Sequence, residues 1–104
     1  MARGKVQGVM FRKTLILGAQ KRGLKAGATN DPKDENCVHF SVDGEESSIK
    51  NLLASMMLLP ALNSWGAKPE HLIPADDFIS LEDHQVTTEN INQLEFTSGV
   101  EFYL

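Results

Sequence analysis

Apolar residues recur along the first part of the chain with two distinct periods. Phe11, Leu15, Gly18, Ala19 and Arg22 stand at helical spacing with Gly23 as a stop, which predicts a helix from Phe11 to Arg22. Gly18 weakens that helix unless close packing needs a small residue there. Ala26 to Thr29 reads as a short strand, closed by the turn-forming run Asn30-Asp31-Pro32-Lys33-Asp34. Val38, Phe40 and Val42 then alternate with His39 and Ser41, the period of a half-buried strand. A second helix is predicted where Ile49, Leu52, Leu53, Met56 and Met57 form one apolar stripe. Asp43-Gly44-Glu45-Glu46 before it resembles a capping box, and Pro60 ends it.

The remainder is less regular. Ala61 to Asp77, with Trp65, Gly66, Pro69 and Pro74, reads as a long loop. Phe78 to Leu81, Leu94 to Phe96 and Val100 to Leu104 suggest strands, while only Met1 to Lys5 are left to form a first one. Two helices on one face of an antiparallel sheet, an α+β sandwich with a shortened first strand, is the economical arrangement.

Composition narrows this picture. The 104 residues fit one domain, 1–104, and 41% hydrophobic residues allow a modest core. Leu52 to Leu62, the longest apolar-rich stretch, contains Ser55 and Pro60 and is too short to span a membrane. The basic start has no continuous apolar region, so no signal peptide is expected. A single cysteine, Cys37, excludes an internal disulfide, and a cytoplasmic location is the expectation. The net charge of −4 conceals a split: Arg3, Lys5, Arg12, Lys13, Lys21, Arg22 and Lys25 precede every acidic residue, the first of which is Asp31. An anion partner near the N-terminus would suit that asymmetry, although solvated charges that mix on folding produce it too.

Candidate chemistry gathers at Gly4-Lys5-Val6-Gln7-Gly8-Val9-Met10-Phe11-Arg12, a glycine-bearing loop that runs into a helix. Its glycines allow close backbone approach, its N–H groups can converge, and the helix N-terminus adds positive potential. Arg12, in the first helical turn, can add a bidentate fork to the same anion. The loop lacks the ending of a Walker motif and the three glycines of a dinucleotide fingerprint.

Gly4-x-Val6-Gln7-Gly8-Val9-x-Phe11-Arg12 resembles the G-x-V-Q-G-V-x-F-R signature of the acylphosphatase family. Asn30 stands eighteen positions after Arg12, as the family's essential asparagine does. Ile91 to Phe96 and Val100 to Tyr103 are similar to the ending of the animal, or common, type. Where the family carries Gly-Trp-Val before its asparagine, this chain has Ala26-Gly27-Ala28. The resemblance implies a ferredoxin-like βαββαβ sandwich that hydrolyses the carboxyl–phosphate bond of acyl phosphates without a metal or cofactor. It further implies phosphate binding by Lys5, Val6, Gln7, Gly8, Val9, Met10 and Arg12, with Arg12 and Asn30 catalytic and Asn30 orienting water. The implied partners are a small-molecule acyl phosphate and inorganic phosphate as product; no nucleic acid or membrane is expected, and the chain is expected to be a monomer.

Other residues carry blander expectations. His39, His71 and His84 lack metal-ligand spacing, and His39 is expected to face solvent or a carboxylate. Cys37 is expected to be a small core or strand residue, and Asp31, Asp34 and Glu35 a solvated turn. Trp65 reads as a lid or packing residue. Two other functions compete: a non-catalytic phosphate- or acyl-phosphate-binding module, and an RNA-binding domain. The negative charge and the missing aromatic strand motif argue against RNA.

Overall fold

A computed structural model describes residues 1–75, 79–93 and 99–104. The elements are β1 (Ala2–Lys5), α1 (Phe11–Lys21), β2 (Lys25–Asn30), β3 (Cys37–Asp43), α2 (Glu46–Leu58), β4 (Lys68–Leu72) and β5 (Val86–Thr87). The strands form one antiparallel sheet in the order β4-β1-β3-β2-β5. The first six elements therefore make the βαββαβ sandwich expected of the sequence, with β5 added along β2.

Both strand and helix periods hold where apolar side chains meet. Phe11, Leu15, Ile16 and Ala19 of α1 and Leu52 and Met56 of α2 are buried together with Val6, Ala26, Ala28 and Val38. Each large apolar side chain buried this way contributes roughly 1.5–3 kcal/mol. The stripe on α2 is narrower than its spacing predicts, because Met57 is exposed. Gly18 meets the condition that the sequence set for it. A Cβ there would lie 2.8 Å from Leu104 Cγ, so the missing side chain lets the C-terminal leucine pack on α1.

The first strand is short, as expected. It meets β3 only at Ala2–Val38 and Arg3–Cys37, and meets β4 from Ala2–Leu72 to Lys5–Lys68 with an irregularity at Arg3/Gly4.

Four expectations are corrected. The loop assigned to Ala61 to Asp77 contains β4, which the sequence hides because Lys68-Pro69-Glu70-His71-Leu72 has neither alternation nor β-branched residues. An edge strand tolerates this composition, since a proline there need not donate to a second neighbour. No capping box forms on α2. Its N-cap is Glu45, whose side chain bonds Ser47 Oγ instead of a backbone N–H. Ile79 and Ser80 are not a strand, Leu81 opens a short 3-10 turn to Asp83, and Phe78 lies outside the described residues. Among the described residues, Val100 to Leu104 makes only an isolated bridge, Phe102 to Asn63, and Leu94 to Phe96 lie outside those residues.

Candidate active site

Residues 6–10 fold into a concave loop between β1 and α1. Gly8 (φ 75°) and Met10 (φ 61°) both adopt left-handed backbone, a conformation that turns neighbouring N–H groups inward. For a methionine this conformation costs on the order of 1 kcal/mol. It is held because Met10 C=O accepts both the N–H of Thr14 at 3.0 Å and its hydroxyl at 2.6 Å. Among the described residues, none accepts a hydrogen bond from the N–H groups of residues 7–10. They remain available to an anion.

The loop opens onto a cavity of about 180 Å³ lined by Val6, Gly8, Met10, Phe11, Arg12, Lys13, Asn30 and Trp65. Asn30 reaches it from the end of β2, Arg12 from the first turn of α1. Partial burial draws the Arg12 guanidinium below its ordinary pKa, but that value is so high that it stays charged. Asn30 Oδ1 is buried without a hydrogen-bond partner among the described residues. Such an acceptor costs about 1–3 kcal/mol unless a water or ligand donates to it.

Not every loop side chain turns this way. Gln7 points to the opposite side, where its Nε2 donates to the carbonyls of Asp31 (3.1 Å), Asp34 (3.1 Å) and Cys37 (2.8 Å) and ties the loop to the β2–β3 turn. Lys5 lies in β1 opposite Lys68, with its ammonium beside Gly66. Val9 packs against the core, and its carbonyl accepts from Asn63 Nδ2 at 2.8 Å. Any contribution of Lys5, Gln7 or Val9 to anion binding would come from backbone position rather than from side chains in the cavity.

Gln85, which the sequence did not single out, and His84, weighed there only as a metal ligand, arrange the site. Gln85 Oε1 accepts from Arg12 Nη1 at 2.8 Å and from the Asn30 N–H at 3.0 Å, bridging the two. His84 anchors Gln85. The N–H of Gln85 donates to Thr29 Oγ1, and the same hydroxyl lies 2.9 Å from His84 Nδ1. Ser41 donates to the carbonyl of Ile79, so His84 Nε2–H donates to Ser41 Oγ at 2.9 Å. The Ser41 contact fixes a proton on Nε2, and burial lowers the His84 pKa and so favours the neutral ring, whose Nδ1 then accepts from the Thr29 hydroxyl. Gly27 makes room for the ring, because a Cβ there would lie 2.7 Å from His84 Cδ2. The glycine between Ala26 and Ala28 is thereby explained. Only a Gly-x-Thr strand followed by a distant His-Gln pair was visible in the sequence, and nothing local links them.

Asn63 supports the cavity from below. It is buried, donates to Val9 C=O and Thr14 Oγ1, and accepts the N–H groups of Trp65 (3.0 Å) and Ala67 (3.2 Å). Trp65 is thus held at the rim as a partly exposed wall.

Residues 1–58 match the family described as Acylphosphatase, a span that includes the loop, Arg12 and Asn30. The chain belongs to the acylphosphatase family. Its sheet order and paired helices agree with that family's fold, and membership implies acylphosphatase-type chemistry in general. The match ends at α2, so the C-terminal run that resembles the family ending lies beyond it. Comparison with curated proteins and with solved structures gives no match. No helix among the described residues is long and apolar enough to cross a membrane.

Proposed function

We propose that this chain hydrolyses acyl phosphates to a carboxylate and inorganic phosphate, with the phosphoryl group held by the residue 6–10 loop and Arg12. The observation that carries this reading is the shared cavity: Arg12 and Asn30 both line it, beside loop N–H groups that bond no described residue, and Asn30 Oδ1 is buried without a partner. A loose phosphoryl-transfer transition state needs position and charge stabilisation more than covalent help. The guanidinium and the N–H groups supply both. An amide is too weak a base to deprotonate water, but Asn30 Oδ1 can accept one hydrogen of a water and aim its lone pair at phosphorus. The departing carboxylate has a conjugate acid of pKa about 4, so it leaves without a general acid at neutral pH. The water proton passes to a phosphate oxygen or to solvent.

Release of phosphate from benzoyl phosphate in the presence of a chelator tests this reading. Arg12→Ala is expected to lower the rate by about 10²–10³-fold, as the loss of a transition-state charge partner does. Asn30→Ala is expected to lower kcat more than it raises KM. Wild-type protein no faster than buffer, or full rate in Arg12→Ala, would overturn it. Phosphate-induced shifts of the loop amides without turnover would instead indicate a binding module.

A further inference from the structure

On the sheet face opposite the helices, Cys37 and His39 stand two residues apart on β3 and so project the same way. The turn after β2 brings Asp31 back beside them, its N–H donating to the Cys37 carbonyl at 3.1 Å. One sulfur, one ring nitrogen and one carboxylate oxygen from these residues all lie within 4.8 Å of one another. We infer that Asp31, Cys37 and His39 form a binding site for a thiophilic divalent cation of the zinc type.

The donor set is the first argument. Thiolate, imidazole and carboxylate together suit a borderline-soft dication and supply three of the four positions of a tetrahedral centre. With bonds of about 2.0–2.3 Å, tetrahedral donors stand roughly 3.3–3.8 Å apart, so the cluster must contract by only about 1 Å. His39 Nε2 and Asp31 Oδ2 are already 2.8 Å apart and would separate slightly around an ion.

Orientation is the second. Asp31 Oδ1 accepts the N–H groups of Lys33 (2.8 Å) and Asp34 (3.0 Å), which leaves Oδ2 directed at His39. Groups that hold a ligand from behind in this way raise metal affinity. Charge is the third. Of the two cations near Cys37, the Met1 ammonium and Arg3 on β1, Arg3 is paired with Asp34 at 2.6 Å. Asp31 and a Cys37 thiolate then supply two negative charges for a dication. The thiol proton leaves to solvent as the metal–sulfur bond forms; the proton that His39 Nε2 donates to Asp31 Oδ2 also leaves that nitrogen, so that neutral His39 ligates through Nε2 with its remaining proton on Nδ1. Access is open from one side, with 28% of the His39 side chain and 23% of the Asp31 side chain exposed above the buried sulfur.

Sequence spacing concealed this site. The three ligands stand six and two residues apart, across a turn and then along one strand face, which matches no zinc motif.

Cobalt(II) titration of the full chain in a thiol-free reductant tests the proposal. The expected result is a saturable one-to-one thiolate-to-cobalt charge-transfer band in the near ultraviolet, displaced by zinc. Cys37→Ser is expected to abolish the band, and His39→Gln and Asp31→Asn to weaken cobalt binding at least about tenfold. The last two alter partly exposed positions, so they decide the matter even where Cys37→Ser disturbs folding. Arg12→Ala and His71→Gln are expected to bind cobalt as wild type does, which separates this site from the hydrolytic reading. Absence of the band, its survival in Cys37→Ser, or unchanged affinity in both His39→Gln and Asp31→Asn would overturn the proposal.

Discussion

The stretch from β1 to α2 and the stretch that follows it share one apolar core but are held in place by different balances of force. The first rests on ladders and on an apolar core: β2 and β3 pair over six consecutive positions from Lys25–Asp43 to Asn30–Val38, and α1 buries four large or small apolar side chains against them. Among its described residues the second has one edge strand and a strand of two residues; Leu62, Ala67, Val86, Ile91 and Leu104 join the apolar core, and single polar side chains add fastenings to that burial. Asn63 holds the segment after α2. Lys68 Nζ donates to the carbonyls of Met56, Met57 and Leu59, closing the end of α2. Asn90 bridges Thr87 and Gln85, and His84 pins the segment before β5. The candidate reacting groups belong to the first region, but the second sets where Arg12 stands relative to Asn30.

The sharpest way to break this contrast is at Asn63. Asn63→Ala removes two donated and two accepted hydrogen bonds from a buried position and leaves the Trp65 and Ala67 N–H groups without their partner. A loss of about 2–4 kcal/mol in unfolding free energy is expected, since each buried group left unpaired costs about 1–3 kcal/mol. Chemical denaturation measures it. A loss below about 1 kcal/mol would mean that the second region is held mainly by apolar contact after all.

Gln85→Ala probes orientation without touching the core. Arg12 and Asn30 then lose their shared acceptor, although the backbone of residue 85 stays anchored through Thr29. If acyl phosphate hydrolysis proceeds as proposed, kcat is expected to fall about tenfold, or about 1.4 kcal/mol in the barrier, with little change in melting temperature. A KM effect alone would place Gln85 in substrate binding rather than positioning. Stability loss without a rate effect would make it a fastening only.

The same contrast governs what could be read without the structure. Helical and strand periods placed α1, β2, β3 and α2, because burial against a core imposes periodicity on the residues that perform it. The loop, Arg12 and Asn30 stand out as candidates for another reason: their residue types and short, countable separations resemble the signature of the family that residues 1–58 match. β4 was hidden by Pro69 and by edge exposure, which relaxes alternation. His84, Gln85 and the Asp31–Cys37–His39 cluster were hidden because their partners are set by the register of β2 against β3, and register is not written at any one position. Trp65 was read as a lid or packing residue, and it stands as a partly exposed cavity wall.

The smallest expected effect is one of pH. His84 has its pKa lowered from 6.5 by burial and by the proximity of His39, so below pH 6.5 the unfolded chain takes up a proton that the native imidazole resists. Its contribution to stability is therefore fully present above pH 6.5 and is lost as pH falls from there through the folded-state value. Protonation places a second donor on Nδ1, facing a Thr29 oxygen whose own hydrogen already points at the ring. The melting temperature of wild type is expected to decline over this window, and that of His84→Gln to stay flatter. Asp31, whose pKa is lowered chiefly by its hydrogen bond with His39, acts in the same direction but at a lower pH, as its carboxylate protonates below 3.8. Scans between pH 7.5 and 4.5, values chosen to span roughly two units below the ordinary histidine pKa, isolate the first window from the second. A parallel decline in both proteins would assign the pH response to other groups and leave the His84 fastening without a titration of its own.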